Sequence, residues 1–226
     1  MVSTAINPEA LTHAVDGFIG LGPKGSNLYF EQTFMGYMAK QKIIQHQKFG
    51  FIFENKYGAV GQFVFGDHVE TRVRGKLAYV PSISSTSWRL ELSAILVGNQ
   101  RLNLKDWSVV IDTAYKSVVL PMKLAKYING LLGRTGTIDA FSIMDCDRNG
   151  GWPDITFVFG VKPFVLKHAQ YLAKFIQNGM DCCVSLFSTV VPIKSQSIIL
   201  GLAFISKFDT VFDLESMEVG FAVPEV

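Results

Sequence analysis

The chain has 226 residues, enough for one large domain or one and a half small ones, and enough to bury a substantial core. Hydrophobic residues make up 49% of the chain and charged residues 18%, a composition that disfavours long disordered segments and solvated helical arrays. The net charge is +2 and no apolar run approaches the roughly 20 residues of a membrane-spanning helix, so we expect neither a nucleic-acid partner nor a membrane protein.

The N-terminus lacks the features of a secretory signal. Residues 1–9 contain neither a basic segment nor an apolar one. We therefore expect either a cytosolic chain or one whose true beginning is absent from this sequence.

Short strands bounded by turn residues dominate the pattern along the chain. Apolar or alternating runs of strand length occur at residues 61–66, 76–81, 88–92 and 154–160. Helical spacing occurs in two places, at Phe30, Phe34, Met35 and Met38, and after Pro121 at Leu124, Ile128 and Leu131. The Ser/Thr-rich run 82–87 predicts a loop. Together these segments predict an all-β, sandwich-like or barrel-like body with two short core-facing helices.

Asp112 stands at the end of a run of β-branched residues, 109–111, and two positions before the small Ala114. A carboxylate at the end of a buried strand, beside a residue that lets a substrate come close, can act as a catalytic acid or base. The same pattern fits an Asp that opens a turn or caps the following helix. The spacing alone leaves both interpretations open.

The three cysteines and the scattered histidines predict no metal site. Cys182 and Cys183 are adjacent, which is not a zinc-ligand spacing, and no two histidines have a metal-binding spacing. The simplest arrangement is one disulfide from Cys146 to either member of the pair, with one thiol left over.

The end of the chain predicts a buried strand followed by a hairpin. Gly201 interrupts the apolar run 198–205, which indicates a close backbone approach. The runs 210–213 and 219–222 then form the two strands of the hairpin, with Glu215 and Ser216 in the turn.

These segments together resemble the pepsin-like aspartic proteases, specifically their C-terminal lobe preceded by the last part of the N-terminal lobe. Residues 16–22 resemble the family's Asp-Gly-Ile-Leu-Gly-Leu stretch, and residues 61–67 and 77–88 resemble the strands that follow it. Asp112-Thr113-Ala114 resembles the second Asp-Thr-Gly motif, with Pro121 nine positions after the Asp. Cys146, residues 153–157 and Cys183 resemble the C-lobe disulfide framework, and residues 199–222 resemble the terminal block.

The resemblance implies a mostly β lobe of twisted sheets with two or three short helices. Residues 1–22 would be a remnant of the N-terminal lobe and residues 23–226 the C-terminal lobe. The implied disulfide joins Cys146 to Cys183 and leaves Cys182 outside it. No metal or organic cofactor is implied, and the family suggests secretion or a vacuolar or lysosomal lumen.

The resemblance also implies the roles of the site residues. Asp112 would be one of two carboxylates that share a proton and hydrolyse peptide bonds, since two such groups at close range cannot both ionise. Thr113 would tie its loop to the partner loop of the other lobe. Ala114 and Tyr115 would support the loop, and Gly201 would let a neighbouring chain pass beside it.

Three features depart from the family pattern. The family's other Asp-Thr-Gly and its flap tyrosine precede the position of Asp16, where this sequence has only 15 residues. Tyr115 and Lys116 stand where the family has small hydroxyl residues, and Leu202 stands where it often has Asp.

The resemblance therefore implies an aspartic endopeptidase lobe that acts on extended peptides or proteins once a lobe bearing the second Asp is present. The alternative is a catalytically inactive pepsin-like protein that binds or inhibits a partner. A homodimer pairing two copies of Asp112 is a third arrangement.

Overall fold

The computed structural model describes residues 19–25, 32–53, 61–147, 151–177, 179–189 and 196–223. Phe30 and the first half of the segment 16–22, both used in the sequence analysis, lie outside the described residues. In the described part the fold is mostly β, as predicted.

The strands and helices have the following bounds. The strands are β1 (Lys48–Ile52), β2 (Gln62–Phe65), β3 (Ala78–Pro81), β4 (Arg89–Val97), β5 (Gln100–Ile111), β6 (Val118–Val119), β7 (Arg134–Ile138), β8 (Phe141–Met144), β9 (Ile155–Phe159), β10 (Lys162–Leu166), β11 (Leu172–Gln177), β12 (Met180–Ser185), β13 (Phe187–Ser188), β14 (Ser197–Leu200), β15 (Asp209–Asp213) and β16 (Glu218–Ala222). The helices are α1 (Phe34–Lys40), α2 (Val69–Arg72), α3 (Met122–Leu131), α4 (His168–Tyr171) and α5 (Leu202–Ile205), with a 3-10 turn at Gly66–His68.

The strands form three sheets. A five-stranded sheet has the order β2-β1-β15-β16-β3, and a seven-stranded sheet has the order β10-β9-β4-β5-β14-β6-β13. A four-stranded sheet, β11-β12-β8-β7, completes the fold. The predicted C-terminal hairpin is present as β15 and β16, paired from Asp209 with Ala222 to Asp213 with Glu218.

The two predicted helices are present, and each begins after a residue that favours a helix start. The Thr33 hydroxyl accepts a hydrogen bond from the Gly36 N–H at 3.0 Å and caps α1. Helix α3 follows Pro121 and buries Ala125 and Ile128. The one-turn helices α2, α4 and α5 were not predicted from the sequence.

The apolar run 198–205 differs from the single strand that was predicted. The strand ends at Leu200, and α5 begins directly after Gly201. Ile198, Leu200, Phe204 and Ile205 are all fully buried, so both halves of the run belong to the core. Hydrophobicity alone therefore could not distinguish strand from helix here.

The disulfide joins Cys146 to Cys183 with a Cα–Cα distance of 5.3 Å. Cys146 follows β8 and Cys183 lies in β12, whose neighbour in the sheet is β8. Cys182 is outside the disulfide and partly exposed. Among the described helices, none has the length and apolar character needed to cross a membrane.

Candidate active site

Asp112 follows the last residue of β5, at the point where three strands meet. β14 pairs in parallel with β5 and antiparallel with β6, so that Leu200 lies between Ile111 and Val118. The loop 112–117 leaves β5, passes the end of β14 and returns as β6. The Asp112 N–H donates to the Leu200 carbonyl at 3.1 Å, which continues the β5–β14 pairing up to the carboxylate residue.

Backbone hydrogen bonds hold this loop against the residues that follow β14. The N–H groups of Gly201, Leu202 and Ala203 donate to the carbonyls of Ser117, Tyr115 and Lys116 at 3.2, 2.7 and 2.9 Å. Because the acceptors are main-chain oxygens, the loop keeps these bonds whatever side chains stand at positions 115 and 116.

Gly201 sits where no side chain fits. A Cβ built on it would lie 2.2 Å from the Tyr115 carbonyl oxygen and 2.5 Å from the Ser117 carbonyl oxygen. Both are backbone atoms, so the contact could be relieved only by moving the loop. The absence of a side chain at Gly201 is what allows the loop that carries Asp112 to lie against the end of β14.

The Asp112 carboxylate is partly exposed and has one hydrogen bond to the main chain. Its Oδ1 accepts from the Ala114 N–H at 2.9 Å, which closes a turn of the kind that Asp favours. The turn interpretation of Asp112 is thus correct, whereas the helix-cap interpretation is not, because α3 begins only at Met122. A turn of this kind also fixes the orientation of the carboxylate.

Thr113 and Lys116 are exposed, and Tyr115 is partly buried. Within the described residues, the Thr113 hydroxyl and the second Asp112 oxygen have no hydrogen-bond partner. The contact with a partner loop that was predicted for Thr113 stays a prediction.

A cleft of about 330 Å³ opens beside Asp112 and Thr113. Its floor is aromatic: Phe49 and Phe212 stack with ring centroids 4.7 Å apart, and Trp88 lies 5.1 Å from Phe212. The Trp88 Nε1–H donates to the Leu21 carbonyl at 3.0 Å, which holds the segment 19–25 at the cleft wall. A carboxylate at the edge of an apolar cleft can act on an extended chain lying in it.

The sequence did not indicate that β1 lies beside β15 and contributes to the cleft wall. Phe49, Phe51 and Phe212 come from β1 and β15, two strands that are far apart in the sequence but adjacent in the five-stranded sheet. The alternation of apolar residues at positions 49, 51 and 53 is the signal that could have indicated β1.

The part of the chain that the structure describes holds no cluster of three or more His, Cys, Asp or Glu side chains suited to a metal ion.

The comparisons with known proteins match almost the whole chain. A family model described as eukaryotic aspartyl protease matches residues 2–224. Vacuolar protease A of Neurospora crassa is 27% identical over 210 residues, which cover 92% of this chain and 52% of the relative. Cathepsin D of Clupea harengus is 26% identical over 212 residues, covering 92% of this chain and 54% of the relative. Gastricsin of Mus musculus is 28% identical over 216 residues, again covering 92% and 54%.

The chain thus spans about half the length of the curated relatives it matches. The family match covers the cleft, the Asp112 loop and all three sheets. On this match, together with the mostly β fold, the chain belongs to the eukaryotic aspartyl protease family.

Proposed function

We propose that this chain is one lobe of an aspartic endopeptidase, to which Asp112 contributes one of two catalytic carboxylates. The observation that carries the proposal is the setting of Asp112, which is fixed by the Ala114 N–H at the edge of an aromatic cleft. The second carboxylate would come from a partner lobe, either another part of the same protein or a second copy of this chain.

The proposed chemistry requires the two carboxylates to share one proton. The ionised group takes a proton from a water molecule, which attacks the scissile carbonyl, while the protonated group donates a hydrogen bond to the carbonyl oxygen. The C–N bond then breaks as the amine takes a proton from the carboxyl group that deprotonated the water. Asp112 already has one oxygen engaged by the backbone, which leaves the other to face its partner and the water. Thr113, exposed beside it, would bind the partner loop.

The proposal assigns residues 1–22 to the end of an N-terminal lobe and residues 23–226 to the C-terminal lobe. The substrates would be extended peptides or unfolded proteins, and the reaction needs no metal or organic cofactor. Three of the matched relatives are named as vacuolar proteases, which supports a vacuolar, lysosomal or secreted location.

The test is cleavage of a denatured protein between about pH 3 and 5, where a carboxylate pair holds one shared proton. The purified chain is assayed alone and together with a lobe that supplies the second Asp, in each case with and without a statine-type transition-state analogue, and the variants are compared under the condition in which the wild-type chain cleaves. Asp112→Asn is expected to lower the cleavage rate on the order of a thousandfold or more.

Asp145→Asn is the matched control, because Asp145 is exposed and its Oδ1 accepts the Asp147 N–H in a similar turn at 3.0 Å. Equal cleavage by both variants would contradict the role of Asp112.

The second candidate is an inactive family member that binds peptides. The observation in its favour is the loop itself, where Tyr115 and Lys116 replace small hydroxyl residues and no described side chain donates to the Asp112 carboxylate. Binding of the transition-state analogue without cleavage, at every pH tested and with a lobe supplying the second Asp present, would favour this function.

A further inference from the structure

Arg89 lies on the sheet face that leads to Asp112. On β4 it pairs directly with Val110 of β5, and Val110 lines the cleft together with Asp112. The neighbouring Leu90 points into the core and is fully buried. Because side chains alternate along a strand, Arg89 projects from the opposite, accessible face. The guanidinium group therefore lies on the same face of β4 and β5 as the side chains of Val110 and Ser108, and two residues after Val110 on β5 comes Asp112.

Two serine hydroxyls hold the guanidinium group in place. One Arg89 Nη atom donates to Ser108 Oγ at 2.9 Å and to Ser197 Oγ at 3.5 Å. Ser108 and Ser197 are register partners in the parallel pair β5 and β14. Each serine accepts through its oxygen, so its own O–H remains able to donate to a third group. The arrangement presents a cation and two hydroxyl donors together.

No carboxylate among the described residues forms an ion pair with Arg89. Arg74, by contrast, binds the fully buried Asp209 at 2.8 Å. Glu91 lies on the same face of β4 as Arg89 and opposite Ser108, but it is exposed and does not come within ion-pair distance. A partly buried guanidinium group without a carboxylate partner favours binding of an anionic group from outside, since planar bidentate pairing is the strongest interaction open to it.

The distance to Asp112 fits an extended peptide. The guanidinium group contacts Ser108, four residues before Asp112 on a strand that rises about 3.3 Å per residue, which places it about 13 Å away. An extended peptide rises by the same amount per residue. A side chain three or four residues from the bond held at Asp112 would therefore reach the guanidinium group.

We propose that Arg89 is a specificity-determining residue that selects, with Ser108 and Ser197, an acidic side chain three or four residues from the bond presented to Asp112. This inference rests on the proposed function, because it places an extended peptide along β4, β5 and β14. A purely structural Arg89 would link the three strands through the serines and would not distinguish acidic from neutral peptides.

The test measures binding rather than cleavage. Fluorescence anisotropy follows a set of eight-residue apolar peptides in which a single Glu occupies each position in turn, each paired with its Gln counterpart. The measurements are made at about pH 6, where the peptide Glu is ionised. The wild-type chain is expected to bind one Glu peptide on the order of tenfold or more tightly than its Gln counterpart.

The Arg89→Gln variant is expected to lose this preference, and Arg89→Lys to keep part of it. Glu91→Lys adds a cation beside Arg89 without touching its serine contacts, so it should strengthen the preference. It also keeps the test decisive if Arg89→Gln does not fold.

Equal affinities for Glu and Gln peptides, a preference that survives Arg89→Gln in the folded variant, or the absence of peptide binding would overturn the inference. Failure of the proposed function has a different signature. In that case the Glu preference would depend on Arg89 while cleavage remained absent even with a lobe supplying the second Asp.

Discussion

At the scale of single residues, Gly201 allows the sharpest prediction. We expect Gly201→Ala to lower the free energy of unfolding by about 2–3 kcal/mol, because its Cβ would overlap two main-chain carbonyl oxygens that cannot rotate away. The displaced loop should also weaken peptide binding at Asp112. Urea denaturation of the variant and the wild type measures the stability change.

Gly130→Ala serves as the control for this prediction. Gly130 is exposed in α3, and a Cβ built there meets no atom within 4 Å. Alanine should stabilise the helix there by about 0.5–1 kcal/mol relative to glycine. A similar effect of both substitutions would show that the contact at the Asp112 loop is not the cause.

At the scale of elements, the sequence predicted those whose signals are local. Helix α3 follows a proline and has an apolar stripe, and the C-terminal hairpin has two apolar runs around polar turn residues, so both were recognised. Helix α5 was not, because all four residues of Leu202–Ile205 are apolar and a single turn shows no helical periodicity. The Asp112 loop was located from its motif, but its contact with Gly201 depends on the pairing of β14 with β5 and β6.

The aromatic floor of the cleft and the surroundings of Arg89 could not be predicted from the sequence either. Phe49 and Phe212, and likewise Arg89 and Ser197, meet only because strands distant in the chain are neighbours in a sheet. No spacing rule reports such a pairing. The family resemblance supplied the motifs but did not indicate the unpaired guanidinium group.

The disulfide between Cys146 and Cys183 should contribute measurably to the stability of the fold. It closes a loop with a sequence separation of 37 and joins the segment after β8 to β12. We expect the Cys146→Ser, Cys183→Ser double variant to lose about 3–4 kcal/mol of stability, because the unfolded chain regains the entropy of that loop. Thermal and urea unfolding measure the loss.

Cys182→Ser is the matched control, since it removes a neighbouring thiol and leaves the disulfide intact. Its expected effect is below about 1 kcal/mol. If reduction of the wild-type chain leaves its unfolding midpoint unchanged, the disulfide does not stabilise the fold.

At the scale of the whole molecule, one charge network links elements from three parts of the chain. The Lys48 Nζ on β1 lies 2.8 Å from Glu70 of α2 and 3.2 Å from Asp213 of β15. The Tyr79 hydroxyl on β3 donates to Glu70 at 2.6 Å. The network therefore links the interior strands β1 and β15 of the five-stranded sheet to its edge strand β3, and β1 and β15 also carry part of the aromatic floor of the cleft.

In this network the pKa values of the two carboxyl groups are lowered and the pKa of the lysine is raised, so each group is more readily ionised. The hydrogen bond from Lys48, then that from Tyr79, lowers the pKa of Glu70 below its usual value of 4.5. Burial acts to raise the pKa of Asp213, but the N–H groups of Ser216 and Glu215 and the Lys48 ammonium group outweigh it, so the net pKa is lowered. The bond to Glu70 raises the pKa of Lys48 despite its burial.

The lowered pKa values of Glu70 and Asp213 predict that acid destabilises the fold. A carboxyl group whose pKa is lower in the folded state stabilises the protein above its unfolded-state pKa and loses that contribution as the pH falls through its folded-state pKa. The free energy of unfolding should therefore decrease from about pH 4.5 downward. The raised pKa of Lys48 gives a contribution that is lost only in strong alkali.

Lys48→Met tests the cause of this acid dependence. Without the ammonium group the pKa of Glu70 should return towards its usual value, so the fall in stability with acid should become shallower. The difference should be about 1 kcal/mol or less, because the Glu70 side chain is 44% exposed and solvent screens the pair. Lys167→Met is the control, since its pair with Asp154 is more exposed, at 65% and 41%.

Urea unfolding of the three proteins from about pH 7 down to pH 3 gives the slopes to compare. Parallel curves for Lys48→Met and the wild type would mean that other carboxyl groups set the acid dependence. A shallower curve for Lys48→Met alone would mean that the Lys48 network on the five-stranded sheet contributes to the acid sensitivity of the fold. For the proposed protease lobe, this would mean that the sheet beneath the cleft is weakened at acidic pH, and a partner lobe or bound peptide would be expected to restore the lost stability by mass action.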